Sequence, residues 1–323
     1  MIDALGRKID YLRISITDRC NMRCRYCMPV EVPEVAHAEV LRYEEFLQIC
    51  QAAKALGINR FKVTGGEPLV RKGAVDFLAA LKTQPGTRCV TLTTNGFFLE
   101  EALPGLKAAG VDGINVSLDS LVPDQFIRLT GVRGCERVVA AVKATLAAGF
   151  PTKINTVLLA QNQDQILPLA QLAEQMPLDV RFIELMPIGY GKDYRGLTEH
   201  EVFSLIKSRY PDLEPSYEKR GNGPAVYFKS RSLQGRIGFI AANTHKFCHK
   251  CNRMRLTSTG FLKPCLCYDL GVDLRSILRS GGTDLQLRLQ EAIKKAVDLK
   301  PKGHCFEDKV QITETRSMNQ IGG

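Results

Sequence analysis

The sequence predicts an α/β fold: a partial (β/α)6 barrel of parallel strands with a smaller mixed C-terminal domain. Three observations carry this. Strand-length apolar runs alternate with helix-like stretches in the first part of the chain. Six of those strands deliver polar or glycine-rich residues at or near their C-terminal ends. From Gly189 onward the alternation breaks. Repeated strand–helix units imply parallel strands joined by right-handed crossovers, and in such barrels functional groups collect at the C-terminal strand ends. The boundary is placed after residue 189, giving domains 1–189 and 190–323.

Strands are read near residues 10–16, 60–64, 89–93, 113–117, 153–158 and 180–185. Helices are read over 41–56, 74–81, 99–109, 138–148 and 166–176. The first has Phe46, Leu47, Ile49, Cys50, Ala53 and Leu56 at helical spacing, and Gly57 stops it. In the last third, 199–210, 274–280 and 285–299 read as helices, and 225–228 and 236–241 as strands.

The 323 residues suffice for a large domain and a smaller one. No run of eighteen apolar residues and no signal-peptide core is seen, so neither a membrane span nor export is expected and a cytoplasmic address follows. Eleven cysteines fall in two clusters plus singles, which reads as metal binding in a reducing compartment. The net charge of +10 is dispersed along the chain, without a basic tail, Trp or an aromatic-basic array. This favours a polyanionic small ligand over nucleic acid.

The chain is organised around Cys20-Asn21-Met22-Arg23-Cys24-Arg25-Tyr26-Cys27. Three thiolates this close converge on one metal centre. Structural zinc wants four ligands, and no fourth Cys or His follows locally. An iron–sulfur cube normally takes four thiolates, so three leave one iron open to a substrate. At the other strand ends lie Thr64-Gly65-Gly66-Glu67-Pro68, Thr93-Thr94-Asn95-Gly96, Ser117-Leu118-Asp119 and Glu184-Leu185-Met186, with Lys153-Ile154-Asn155 on the fifth strand. Each alone could be turn chemistry or strand-end packing; together they mark one rim. Glycines at 65 and 66 let the backbone approach a ligand, and Glu67 could orient that backbone or meet an ammonium.

A second set, Cys248-His249-Lys250-Cys251, is separated by thirteen residues from Cys265. Zinc competes here, with His245, His249 or Cys267 as a fourth ligand. Against it stands Asn252-Arg253-Met254-Arg255. On a strand, Arg253 and Arg255 share a face and form a fork for phosphate or carboxylate oxygens; the plain alternative is a solvated basic face.

Cys-x3-Cys-x-aromatic-Cys after a first strand resembles the radical S-adenosylmethionine (SAM) superfamily. Cys-x2-Cys-Asn-Arg-x-Arg with its later cysteine resembles, more narrowly, the GTP 3′,8-cyclase family of molybdenum cofactor biosynthesis. The likeness spans nearly the whole chain, including the terminal Gly322-Gly323, which would otherwise read as a frayed end.

The resemblance implies two [4Fe-4S] clusters, one on Cys20, Cys24 and Cys27 with SAM on its open iron, the other on Cys248, Cys251 and Cys265 with GTP on its open iron. It implies Tyr26, Gly66, Glu67, Asn95, Ser117 and Met186 around SAM. Arg13, Lys62, Thr93, Lys153, Arg253, Met254 and Arg255 would meet GTP, and Gly322 and Gly323 would enter the active site for turnover. Relatives commonly have Arg where this chain has Lys62, which loses the planar fork. Cys267 is a rival to Cys265 as ligand. The implied reaction abstracts the ribose C3′ hydrogen of GTP with a 5′-deoxyadenosyl radical and closes C3′ onto C8, giving 3′,8-cyclo-7,8-dihydro-GTP. The implied partners are a downstream cyclic pyranopterin monophosphate synthase and an electron donor such as flavodoxin or ferredoxin; a homodimer is left open, and no nucleic acid or membrane is expected. The alternatives are a peptide-modifying two-cluster radical SAM enzyme, which usually carries more C-terminal cysteines, and a basic metal-binding regulator. Cys50, Cys89, Cys135 and Cys305 are given no role, and Cys50 and Cys89 are read as packing.

Overall fold

The computed structural model describes residues 1–29, 31 and 35–322. The chain runs β1 (Tyr11–Ser15), α1 (Tyr43–Ala55), β2 (Arg60–Thr64), α2 (Ala74–Thr83), β3 (Cys89–Thr94), α3 (Leu99–Ala108), β4 (Gly113–Ser117), α4 (Pro123–Thr130), α5 (Cys135–Ala147), β5 (Thr152–Leu158), α6 (Ile166–Gln175) and β6 (Asp179–Glu184). All six strands pair in parallel and in sequence order, the alternation the sequence predicts.

The last third supplies α7 (Glu199–Arg209), β7 (Glu214–Ser216), β8 (Val226–Lys229), β9 (Ile237–Ile240), β10 (Arg253–Leu256), β11 (Phe261–Lys263), β12 (Val272–Asp273), α8 (Leu274–Arg279) and α9 (Leu285–Asp298). Its strands flank the parallel run. β10 lies parallel to β1 and β9 parallel to β6, so one sheet runs β12-β11-β10-β1-β2-β3-β4-β5-β6-β9-β8-β7. The outer strands are antiparallel hairpins. The short β7, β11 and β12 carry too little period-2 pattern to be read from sequence.

Alternation along each strand sorts the side chains. Leu12 and Ile14, Phe61 and Val63, Val90 and Leu92, Ile114 and Val116, and Val180 and Phe182 face the helices in one buried core. The opposite, inner face carries Arg13, Lys62, Thr91 and Thr93, Asn115, Lys153 and Arg181. A barrel interior is usually filled by branched apolar side chains; here it carries cations and hydroxyls instead.

One helix escapes sequence reading. α4 starts with Pro123 in its first turn and ends on Gly131 at φ 75°, the proline-in, glycine-out signature. Its C-terminal carbonyls hold the first cysteine loop, accepting from Arg23 N (Thr130 O, 2.7 Å) and Arg25 N (Leu129 O, 3.1 Å).

Candidate active site

Two cavities lie at the C-terminal ends of the parallel strands and share Met186, Arg253 and Arg255. The larger, of about 220 Å³, is bordered by Cys20, Cys24, Cys27, Tyr26, Gly66, Thr93, Asn95, Ser117 and Arg13. The smaller, of about 60 Å³, is bordered by Cys248, Cys251, Cys265, Phe247, His304 and Phe306. The two cysteine sets thus border neighbouring cavities that share a wall of Met186, Arg253 and Arg255.

The first set stands on a loop braced from the neighbouring strand ends. Asn95 Nδ2 donates to Asn21 Oδ1 at 2.8 Å and approaches Cys20 Sγ at 3.8 Å. Burial, then Glu67, pushes the Cys20 thiol up to about 11, and burial, then Cys20 and Asp119, pushes the Cys27 thiol up to about 12, with smaller hydrogen-bond contributions that lower them. Cys24 is raised by burial, then by Cys27, Asp119 and Cys20. Three thiols gathered at one cavity edge suit a cationic centre that would take them as thiolates.

Glu67 is fully buried and its carboxylate is committed to backbone and hydroxyl donors. It accepts from Asn95 N at 2.6 Å, Thr94 Oγ1 at 2.8 Å and Leu69 N at 3.0 Å. Of its two roles, orienting the rim is the one these bonds perform. Gly66 is required sterically, because a Cβ there would meet Asp18 O at 2.6 Å and Arg19 O at 2.4 Å.

Asp119 belongs to this cavity and was not singled out as a site residue. It accepts from Tyr26 Oη at 2.6 Å and Val157 N at 2.8 Å. Burial pushes its carboxyl up to about 6, against those two hydrogen bonds. The same aspartate therefore fixes the Tyr26 ring beside the cysteines. Its position after Ser117 on the rim was the only signal available.

The second set has a different electrostatic setting. Burial raises the Cys251 thiol, but Arg253 and Lys300 outweigh it and bring the group down to about 6. Cys265 is raised, mainly by burial. The zinc alternative loses its candidate fourth ligands: His245 Nδ1 pairs with Glu199 at 3.1 Å, Cys267 Sγ lies 3.3 Å from Cys305 Sγ, and His249 is exposed outside the cavity. Among the described residues no group of three His, Cys, Asp or Glu side chains is spaced for a single metal ion.

Arg253 and Arg255 do share a face of β10, and the register sets Arg255 opposite Arg13, which stands opposite Lys62 on β2. Met254 between them turns into the hydrophobic core, so only its backbone faces the site. Lys62 and Lys153 lie deeper in the barrel. Burial, then Arg181, Arg13 and Lys153, hold the Lys62 ammonium well below the ordinary lysine range. Lys153 is paired to Asp179 at 2.5 Å, which also binds Arg220 at 2.9 Å. Arg181 is a further buried cation of this row, donating to Asn115 Oδ1 at 2.8 Å; its place inside an apolar strand gave no local signal.

The C-terminal tail reaches both cavities' walls. Met318 N donates to Cys27 O at 3.1 Å, Asn319 Nδ2 to Asp18 O at 3.0 Å, and Gly322 O accepts from Arg255 at 2.9 Å. Gly323 lies outside the described residues.

Comparison with known proteins bears on this geometry. The family model described as Radical SAM superfamily matches residues 14–173, and that described as Molybdenum Cofactor Synthesis C matches residues 178–306. A GTP 3′,8-cyclase of Heliobacterium modesticaldum is 45% identical over 330 residues, with both chains covered completely. The chain belongs to the GTP 3′,8-cyclase family. Members from Geobacter sulfurreducens (43% identical, covering 100% of this chain and 99% of the relative) and Clostridium perfringens strain SM101 (41%, both covered completely) agree with this. Among solved structures, Streptococcus suis SuiB bound to S-adenosylmethionine superposes with a TM-score of 0.67 at 16% identity, over 97% of this chain and 78% of that one. At that identity the likeness shows the shared fold. Among the described residues no helix is long and apolar enough to cross a membrane.

Proposed function

We propose that this chain converts GTP to 3′,8-cyclo-7,8-dihydro-GTP, the first step of molybdenum cofactor biosynthesis, with SAM at the Cys20, Cys24 and Cys27 set and GTP at the Cys248, Cys251 and Cys265 set. SAM and an iron–sulfur cluster go with the radical SAM family; a second cluster, and the assignment of each set, are our reading. The observation that carries it is a pair of neighbouring cavities, each bordered by one three-cysteine set, that share Arg253 and Arg255 as wall, with Arg13 opposite Arg255 in the strand register.

Cys20, Cys24 and Cys27 would hold a cluster that, when reduced, would supply the electron for cleavage of SAM to methionine and a 5′-deoxyadenosyl radical. The protein's own contribution is position and charge. Asp119 holds Tyr26, Asn95 braces the cysteine loop, and Gly66 lets the backbone close on SAM. Arg13, Lys62, Lys153, Arg253 and Arg255 balance the triphosphate, with Thr93 beside them. That holds the ribose between the two sets, where its C3′–H can meet the adenosyl C5′. The Arg255–Gly322 hydrogen bond ties the tail to the cavity wall; keeping solvent and other donors away matters because a primary carbon radical attacks most C–H bonds it meets. The product would pass to a cyclic pyranopterin monophosphate synthase, and electrons would come from a flavodoxin or ferredoxin.

The test is anaerobic turnover with dithionite, SAM and GTP deuterated at C3′, reading 5′-deoxyadenosine by mass spectrometry. One deuterium transferred per turnover is expected. 5′-Deoxyadenosine without deuterium would overturn the GTP assignment and leave SAM cleavage standing.

A further inference from the structure

Lys300 follows α9 and is buried, 7% exposed. Its ammonium donates to Arg253 O at 2.7 Å and to Pro264 O at 2.7 Å. Among the described residues no carboxylate pairs with it. A buried cation without a counter-anion is strongly unfavourable. Its ammonium is instead enclosed by backbone carbonyls beside the second cysteine set. The two carbonyls it binds belong to the segments that carry those cysteines: Arg253 is two residues past Cys251, and Pro264 directly precedes Cys265.

The third cysteine is held by a second buried cation. Arg7 is paired with Asp3 at 2.6 Å and donates to Cys248 O at 3.1 Å, Pro301 O at 2.9 Å and Lys300 O at 3.2 Å. The N-terminus, the end of α9 and all three cysteine-bearing segments thus meet at one pair of charges. Neither residue lies in a cysteine motif or borders the cavities described above.

We propose that Lys300 is a positioning residue for the second cysteine set: it locks the Cys251 and Cys265 segments in one frame, and its charge stabilises the reduced form of an iron–sulfur cluster held there. This rests on the second cluster of the reading above. A cluster gains negative charge when it takes up an electron, so a fixed buried cation beside two of its thiolates raises its potential. Arg7 fixes the Cys248 segment to the same frame.

The test uses the full chain with Cys20, Cys24 and Cys27 changed to Ser, so that all bound iron belongs to the second set. It compares this parent with versions that also carry Lys300→Met or Lys300→Arg. Iron and sulfide per chain are measured after anaerobic reconstitution, and the midpoint potential is read by electron paramagnetic resonance during titration with dithionite. Lys300→Met is expected to lower the potential by at least a tenfold change in the reduced-to-oxidised ratio, about 59 mV for one electron, and Lys300→Arg to restore most of it. Loss of iron in Lys300→Met with retention in Lys300→Arg also supports the proposal. Lys300→Met with full iron at the parent's potential would overturn it, as would equal loss of iron from both variants. A parent that binds no cluster would overturn the second-cluster reading itself, and the proposal with it.

Discussion

Arg255 donates to the backbone carbonyl of Gly322 at 2.9 Å, in a buried contact between residues 67 apart in sequence. The same guanidinium stands opposite Arg13 in the β1–β10 register and borders both cavities. Burial, then Arg13 and Arg253, depress it well below the ordinary arginine range, and a polyanion bound nearby would favour its charged form. One side chain therefore joins the tail, the cationic row and the second cysteine set.

Arg255→Ala removes a charge-assisted hydrogen bond and one of the proposed triphosphate ligands. Hydrogen bonds to charged groups contribute about 1.5–3 kcal/mol, so GTP affinity should fall roughly ten- to a hundredfold, measured by isothermal titration calorimetry. Affinity within twofold of the parent would remove Arg255 from the GTP site.

Gly322→Ala tests the tail. Gly322 has φ 73°, and a Cβ there would lie 3.0 Å from Ser15 Cβ and 3.3 Å from Thr64 Cγ2. Left-handed backbone costs a non-glycine residue about 1–2 kcal/mol before any clash. Product formation should fall about tenfold or more, while the iron content of the reconstituted protein stays at the parent's level. Unchanged turnover would show that the tail's position is not needed.

Lys62 sets a pH dependence. Its ammonium is depressed in the free protein by burial and by the neighbouring cations. A bound triphosphate favours the charged form and raises the pKa. Between the free and bound values GTP binding takes up a proton, so affinity falls as pH rises through that window. Calorimetry in buffers of different ionisation enthalpy should detect the uptake, and Lys62→Arg should abolish it because arginine stays protonated. Equal proton uptake in both proteins would place the titrating group elsewhere.

Cys265→Ser and Cys267→Ser separate two neighbouring thiols. Cys265 borders the second cavity, whereas Cys267 is fully buried beside Cys305. After reconstitution, Cys265→Ser should lose about half of the iron of a two-cluster chain, and Cys267→Ser should keep it. The reverse pattern would make Cys267 the ligand.

Much of the candidate site was legible because its signals are local. Three cysteines in eight residues mark a metal loop wherever they fold. The two-residue period of a strand puts Arg253 and Arg255 on one face before any partner is known, and α1 announces itself by apolar spacing and Gly57. Asp119, Arg181 and Lys300 were not legible in this way. An isolated charge in or near an apolar segment looks the same whether it faces solvent, a partner or a ligand.

What the amino-acid sequence determined by itself was most of the longer elements, the face each side chain takes within its element, and the grouping of six cysteines into two sets of three. Only the tertiary structure decided that β10 pairs with β1, so that Arg255 meets Arg13 across some 240 residues of chain. It also decided that Glu67 is spent on the rim, that Met254 faces the core, and that Lys300 and Arg7 sit under the second cysteine set. The physical reason is that periodicity follows from the geometry of a single element. Neighbourhood across the sheet is selected by the burial and backbone pairing of the whole chain at once.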